Sequence, residues 1–159
     1  MWKMNLPANY AFVERSMFMF RVSRHLDIFL MIHAYYHQSY LLLFRAFADD
    51  AWREDASGMS PQPTRQFIDE CTEKRNSHAI EISLLIQRLL KVEADHVFRD
   101  PWFGTCIWDS TSALVSSPQG DDARAAEIAD YIRLNLRALK NTKEKIPLAR
   151  KIVSCRVSN

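Results

Sequence analysis

Residues 26–47, LDIFLMIHAYYHQSYLLLFRAF, constrain the fold more than any other part of the chain, because large apolar side chains fall on every face of the helix they would form. A helix that is apolar all round is expected to be buried on all sides. A membrane span would need roughly 18 or more residues nearly free of polar groups. Asp27, His33, His37, Gln38 and Arg45 are distributed along this run, and the charged ones among them are costly to insert. The reading is therefore a buried helix of a protein with no membrane segment. Before it, from Pro7 to Arg24, mixed polarity predicts a short helix leading into the long one.

The remaining chain is divided by turn signals. Residues 48–63, ADDAWREDASGMSPQP, combine charge with Gly58, Pro61 and Pro63 and read as an exposed loop. A helix restarts near Thr64, a suitable N-cap. It carries Phe67, Ile68, Cys71, Ala79, Ile82, Leu85, Ile86, Leu89 and Leu90 at spacings of three and four, one face of a helix. Asp100 followed by Pro101 is a capping carboxylate before a first-turn proline, and Trp102, Phe103, Cys106, Ile107, Ala113 and Leu114 then predict a buried helix. Ser116 to Asp122 read as a loop, with Asp121 or Asp122 capping a helix from Ala123 whose stripe is Ile128, Ile132, Leu136 and Leu139. Pro147 opens a last helix with Ala149, Ile152 and Val153 directed at the body. With only 3 Gly and 6 Pro in 159 residues, and no repeat or strong strand, the expected architecture is all-α: an irregular bundle of five or six helices in one domain spanning residues 1–159.

Charge and cysteines narrow the function classes. A formal net charge of +2 is too small a surplus to imply a phosphate-binding surface. Cys71, Cys106 and Cys155 are odd in number and widely spaced, which encodes neither a disulfide framework nor a structural zinc site and predicts three buried thiols. Lys3, Asn5, Pro7 and Asn9 occupy the place where a secretory signal would be apolar, so an intracellular chain is expected.

Two pairs of residues invite a chemical reading. His33 and His37 stand four apart, the spacing at which helical histidines share a metal in H-E-x-x-H proteases. Here the motif is H-A-Y-Y-H, and Ala34 replaces the glutamate that would act as general base; hydrogen-bonded core histidines are the alternative. Arg75 and His78 in E-K-R-N-S-H-A resemble the arginine–histidine pair of helical toxin-system ribonucleases, but with a shorter gap and no second acid or base beside them. A helical ribonuclease or metal-dependent enzyme using either pair is the rival functional reading. For His78 the alternative is a place at the edge of the apolar face. Arg133, Arg137, Lys140, Lys143, Lys145, Arg150, Lys151 and Arg156 make the tail the most basic region, suited to an acidic partner or to a solvated helix face. No Gly-rich phosphate loop, nucleophile elbow or Cys-His arrangement occurs.

The order of these segments resembles the fungal-specific transcription factor domain, the middle homology region of fungal binuclear zinc-cluster regulators. L-P-A-N followed by I-H-A-Y-Y-H-Q-S-Y-L-L-L-F-R-A-F is similar to that family's L-P-x-N-E and L-H-x-x-Y-H-Q-x-x-x-L-x-R-P-F segments. Phe67-Ile68 through Cys71, then His78-Ala79 with Ile82, resemble its helix containing C-x-x-x-A-x-x-I. D-P-W-F-G-T-C-I-W-D-S-T-S-A-L-V resembles the helix after that, and N-L-R-A-L-K and I-P-L-A-R-K-I-V continue the likeness. Tyr10 stands where the family has an acid, and Ala46 replaces its proline, which lets the helix continue.

The resemblance implies a non-catalytic regulatory region acting in the nucleus, with other domains of a transcription regulator or partner proteins as its contacts and a homo-oligomer as a further possibility. Its family-like positions are His33, His37, Leu42, Arg45, His78 and Ile82, with Arg45 placed to bind terminal carbonyls or pair with Asp49. Zinc and DNA binding belong to a six-cysteine cluster that this sequence lacks, so the chain itself is expected to hold no cofactor and to reach DNA only through such a domain. The family normally has helices before L-P-x-N. The resemblance therefore implies a truncated or partial chain, with apolar surface of the 26–47 helix left uncovered.

Overall fold

The computed structural model of the chain describes residues 11–22, 24–48, 64–91, 100–117 and 122–145. They form five helices: α1 (Glu14–Val22), α2 (Leu26–Ala48), α3 (Arg65–Lys91), α4 (Pro101–Val115) and α5 (Asp122–Lys145). No strand occurs among the described residues, in agreement with the all-α expectation. The 49–63 loop, Cys155, Tyr10, Asp49, Asp121 and the helix expected after Pro147 lie outside them.

Local chemistry sets the helix ends. Asp100 is extended (φ −80°, ψ 118°), and its carboxylate accepts the Trp102 amide at 2.8 Å, with Pro101 in the first turn of α4. Thr64 Oγ1 accepts the Phe67 amide at 3.3 Å and opens α3. The change of polarity between Arg24 and Leu26 placed the break between α1 and α2, but no glycine or proline marks how the chain stops there. The His25 amide donates to the Phe20 carbonyl at 2.9 Å and the Arg24 amide to that of Arg21 at 3.2 Å, the paired bonds of a Schellman ending. Arg24 takes the left-handed conformation usually given to glycine, with φ 61°. The His25 carbonyl then accepts the Phe29 amide at 3.1 Å, so α2 begins directly after the turn.

Side-chain pairs give the directions of the helices. Phe47 meets Phe67 and His37 meets His78, so α3 runs antiparallel to α2. Ser110 bonds Ala79 while Asn76 bonds Ser117, so α4 reverses again. Gly104 approaches Thr142 while Asn135 bonds Ser110, so α5 runs back along α4. The result is an up-down-up-down bundle with α1 folded against α2. Helices α3 and α4 pack on each other and each on both α2 and α5, and so form its centre, between α2 and α5. The core comprises Phe29, Leu30, Ala34 and Leu41 from α2, Ala79, Ile82, Leu85, Ile86 and Leu89 from α3, Phe103, Cys106, Ile107 and Leu114 from α4, and Ile128 and Ala138 from α5. Fully burying one such Leu, Ile or Phe stabilises the fold by about 1.5–3 kcal/mol.

Three expectations about burial are corrected. Helix α2 is an outer helix: its inner face carries Leu26, Phe29, Leu30, His33, Ala34, His37, Gln38 and Leu41, while Ile28, Ile32, Tyr35, Leu42 and Leu43 face outward. Apolar side chains all round allow burial on every side, but the neighbours α1, α3 and α4 all approach from one. Phe67 and Trp102 are also exposed, and in the first turn of α4 it is Phe103, the neighbour of Trp102, that is fully buried. In α5 the stripe is rotated. Leu136 is exposed, and Asn135, Ala138 and Thr142 take the buried positions with Ile128. Small side chains let α5 lie close to α4; a Cβ added at Gly104 would stand 3.1 Å from Thr142 Cγ2.

Candidate functional site

The polar side chains expected to carry chemistry lie at helix–helix contacts. His37 on α2 and His78 on α3 face each other with their Nδ1 atoms 3.0 Å apart. Such a bond requires one ring to hold the proton there and the other to present its lone pair. The His78 ring is half-buried and stacks on Tyr40 at 5.0 Å with 8° between planes, and Phe44 and Tyr36 complete the aromatic surround. His78 is thus at the boundary of the apolar face, as one reading of the sequence expected.

His33 does not join this pair. It packs between Phe12 and Phe29, at 5.0 and 4.8 Å between ring centres, so two histidines four residues apart serve different neighbourhoods. Among the described residues no group of three or more His, Cys, Asp or Glu could hold a metal ion. Arg75 is buried at 5% exposure, while the Nδ1 of His78 is directed at α2. Of the other family-like positions, Ile82 is fully buried at the bundle centre, and Leu42 and Arg45 lie exposed toward the end of α2. Arg133, Arg137 and Lys140 occupy the exposed side of α5, where Arg133 pairs with Asp130.

Two buried polar networks were missed by the sequence reading. In the first, Gln38 Nε2 donates to Asp109 Oδ2 at 3.1 Å, and Gln38 Oε1 accepts from Cys106 Sγ at 3.0 Å, joining α2 to α4. Burial, and after it the charge of Asp109, pushes the Cys106 thiol up to about 12. It stays protonated and is therefore able to donate. The available signal was Gln38 itself, an amide beside His37 within an apolar run. In the second, Asn135 Nδ2 donates to Ser83 Oγ at 3.0 Å and to Ser110 Oγ at 3.2 Å. Both hydroxyls donate onward to the Ala79 carbonyl, at 3.1 and 2.8 Å. One amide thus ties α5 to α3 and α4. Its own Oδ1 is buried without a hydrogen-bond partner among the described residues. Nothing in the periodicity announced it, because an Asn one place from an expected stripe reads as solvated.

Two surface features remain. A groove of about 240 Å³ between α1 and the end of α3 is lined by Glu14, Met17, Phe18, Arg21, Arg88 and Lys91. One wall is ordered by Arg88, which donates to the Phe12 carbonyl at 2.6 Å and lies over the Phe12 ring. The other feature is the outward strip of α2. No helix among the described residues is long and apolar enough to cross a membrane, so the strip does not belong to a spanning segment of that kind.

The described residues define the class: an all-α bundle whose buried polar groups join helices to one another. Comparisons with protein-family models, with curated proteins and with solved structures found no match for this chain.

Proposed function

We propose that the chain is a regulatory, protein-interaction domain of the fungal zinc-cluster transcription-factor type, acting in the nucleus and carrying no catalytic chemistry or cofactor of its own. The observation that supports this reading most is the placement of the family-like segments. The I-H-A-Y-Y-H-Q segment packs directly on the helix holding Cys71, His78, Ala79 and Ile82, through the 3.0 Å His37–His78 contact and the buried Ile82. His37 and His78, one from each pair that invited a catalytic reading, meet as packing groups between α2 and α3, as a structural signature would. The exposed apolar face of α2 adds a surface for another protein. In this reading DNA is reached only through a separate zinc-cluster domain, and the partners are other parts of a regulator or its associated proteins.

The test tethers the full chain to a heterologous DNA-binding domain upstream of a reporter gene. Reporter output is expected to change at least severalfold relative to the DNA-binding domain alone. An unchanged reporter, together with RNA cleavage or stoichiometric metal binding by the purified chain that disappears in His78→Ala or His37→Ala, would overturn the proposal in favour of the enzyme reading.

A further inference from the structure

The groove between α1 and the end of α3 gathers cations from two helices around one apolar concavity. Glu14, Met17, Phe18 and Arg21 stand at spacings of three and four and form one face of α1, while Arg88 and Lys91, three apart, line the groove from α3. Cations in the last turn of a helix ordinarily serve its terminal carbonyls, and Arg21, Arg88 and Lys91 are all so placed. Here two helix ends converge, and the three cations meet a single carboxylate in a lining that is otherwise mainly apolar. That local surplus of positive charge equals the +2 of the whole chain.

The charges are sorted along the groove. Phe12 packs on His33 and Phe20 on Phe29, so α1 runs antiparallel to α2 and in the same sense as α3. Arg88 is already engaged: it donates to the Phe12 carbonyl at 2.6 Å and lies over the Phe12 ring, which anchors the Glu14 end. Lys91 is one turn further along α3, and Arg21 is seven residues, ~10.5 Å, beyond Glu14 on α1. That separation exceeds the screening length of about 8 Å at physiological salt, so Glu14 does not neutralise Arg21. Both Arg21 and Lys91 are exposed, and neither side chain is paired among the described residues. Between the two ends Met17, 3% exposed, makes the floor and Phe18, 68% exposed, the rim.

We infer that this groove binds a small amphiphilic carboxylate, its charged head toward Arg21 and Lys91 and its aliphatic body over Met17 and Phe18. The guanidinium of Arg21 presents a fork that matches a carboxylate, and the Lys91 ammonium adds a second charge. The methylene stems of both side chains extend the apolar lining. A volume of about 240 Å³ falls below the roughly 300–1,000 Å³ of sites for drug-sized ligands. It equals about eight waters at ~30 Å³ each, which suits an acid of about eight carbons. An apolar lining also favours a singly charged head over a dianionic phosphate, whose desolvation costs more. With so few ligand atoms and a half-open site, the expected dissociation constant is on the order of 1 mM. This inference stands independently of the transcription-regulator proposal.

Isothermal titration calorimetry of the full chain with octanoate provides the test, with helicity of every variant checked by circular dichroism. Saturable binding at one site is expected, with octanol and octylammonium each bound at least tenfold more weakly. Arg21→Glu and Lys91→Glu, at exposed positions and therefore compatible with folding, should each weaken octanoate binding about tenfold. Arg137→Glu removes an exposed cation of α5 outside the groove and should leave binding within about twofold of the original. No saturable binding of octanoate overturns the inference. Octylammonium or octanol bound as well as octanoate, indifference to both groove reversals, or an equal loss in Arg137→Glu overturns it too, as does binding to phosphatidylglycerol vesicles without binding of monomeric octanoate.

Discussion

Asn135 is the residue at which the tertiary arrangement can be tested most directly. It is fully buried where α3, α4 and α5 meet, and its amide holds the Ser83 and Ser110 hydroxyls while its own oxygen has no hydrogen-bond partner among the described residues. Asn135→Ala removes two neutral hydrogen bonds worth about 1 kcal/mol each and leaves a small cavity, and it also relieves the orphaned oxygen, worth about 1 kcal/mol in the opposite sense. The net expected loss is about 1–3 kcal/mol. Asn135→Leu removes the amide without leaving the space empty, and both hydroxyls keep their bonds to Ala79, so a change within about 1 kcal/mol is expected. Asn135→Asp differs in kind. A carboxylate cannot donate to either serine, a hydroxyl can donate to it only by giving up its bond to Ala79, and the buried charge costs about 3–5 kcal/mol, or about 10 °C in Tm for a chain of this size.

The sign with pH follows from the same burial. Desolvation raises the folded pKa of such an Asp above its ordinary value near 4. The penalty is therefore absent below about pH 4, grows as pH rises, and is complete above the folded pKa. Urea unfolding of the three variants at pH 4 and pH 7 measures all of this. An Asn135→Asp chain that loses less than about 1 kcal/mol at pH 7, with a flat pH profile, would mean that the junction admits water and that α5 does not seat as described.

Two further outcomes are expected. Arg24 at φ 61° carries the strain of a left-handed non-glycine residue at the end of α1; Arg24→Gly should stabilise the chain by about 0.5–1 kcal/mol, and a lower denaturation midpoint would refute that reading of the turn. The Cys106 thiol, pushed up to about 12 from an ordinary 9.0, keeps in the fold a proton that the unfolded chain releases, so its contribution is complete below about pH 9 and is lost as pH rises toward 12. Cys106→Ser should flatten the fall in stability between pH 9 and pH 11, and an identical slope in both chains would show the thiol to be accessible.

Much of the fold was legible in the sequence because its signals are local. The apolar run of α2, the Thr64 and Asp100 caps and the spacing of Cys71, Ala79, Ile82, Leu85, Ile86 and Leu89 each depend on residues within a few turns of one another, where helical periodicity and capping geometry act directly. The end of α1 was less legible, since Arg24 occupies a place where glycine would have been the signal. Of the candidate residues, the sequence offered His33 with His37, and Arg75 with His78, as pairs along one helix. The structure instead joins His37 to His78 across two helices and places His33 between Phe12 and Phe29.

Residue types and periodicity alone determined that the chain is helical, where most of its helices begin, and which side chains could be core. Only the tertiary structure decided which of two apolar faces α2 buries, that α5 turns Asn135 rather than Leu136 inward, and that Gln38 would find Asp109 and Cys106. Those choices depend on which helices are neighbours and how closely they approach. Gly104 admitting Thr142 and α3 occupying one side of α2 are relations between distant segments, and the energy of each contact belongs to both partners at once.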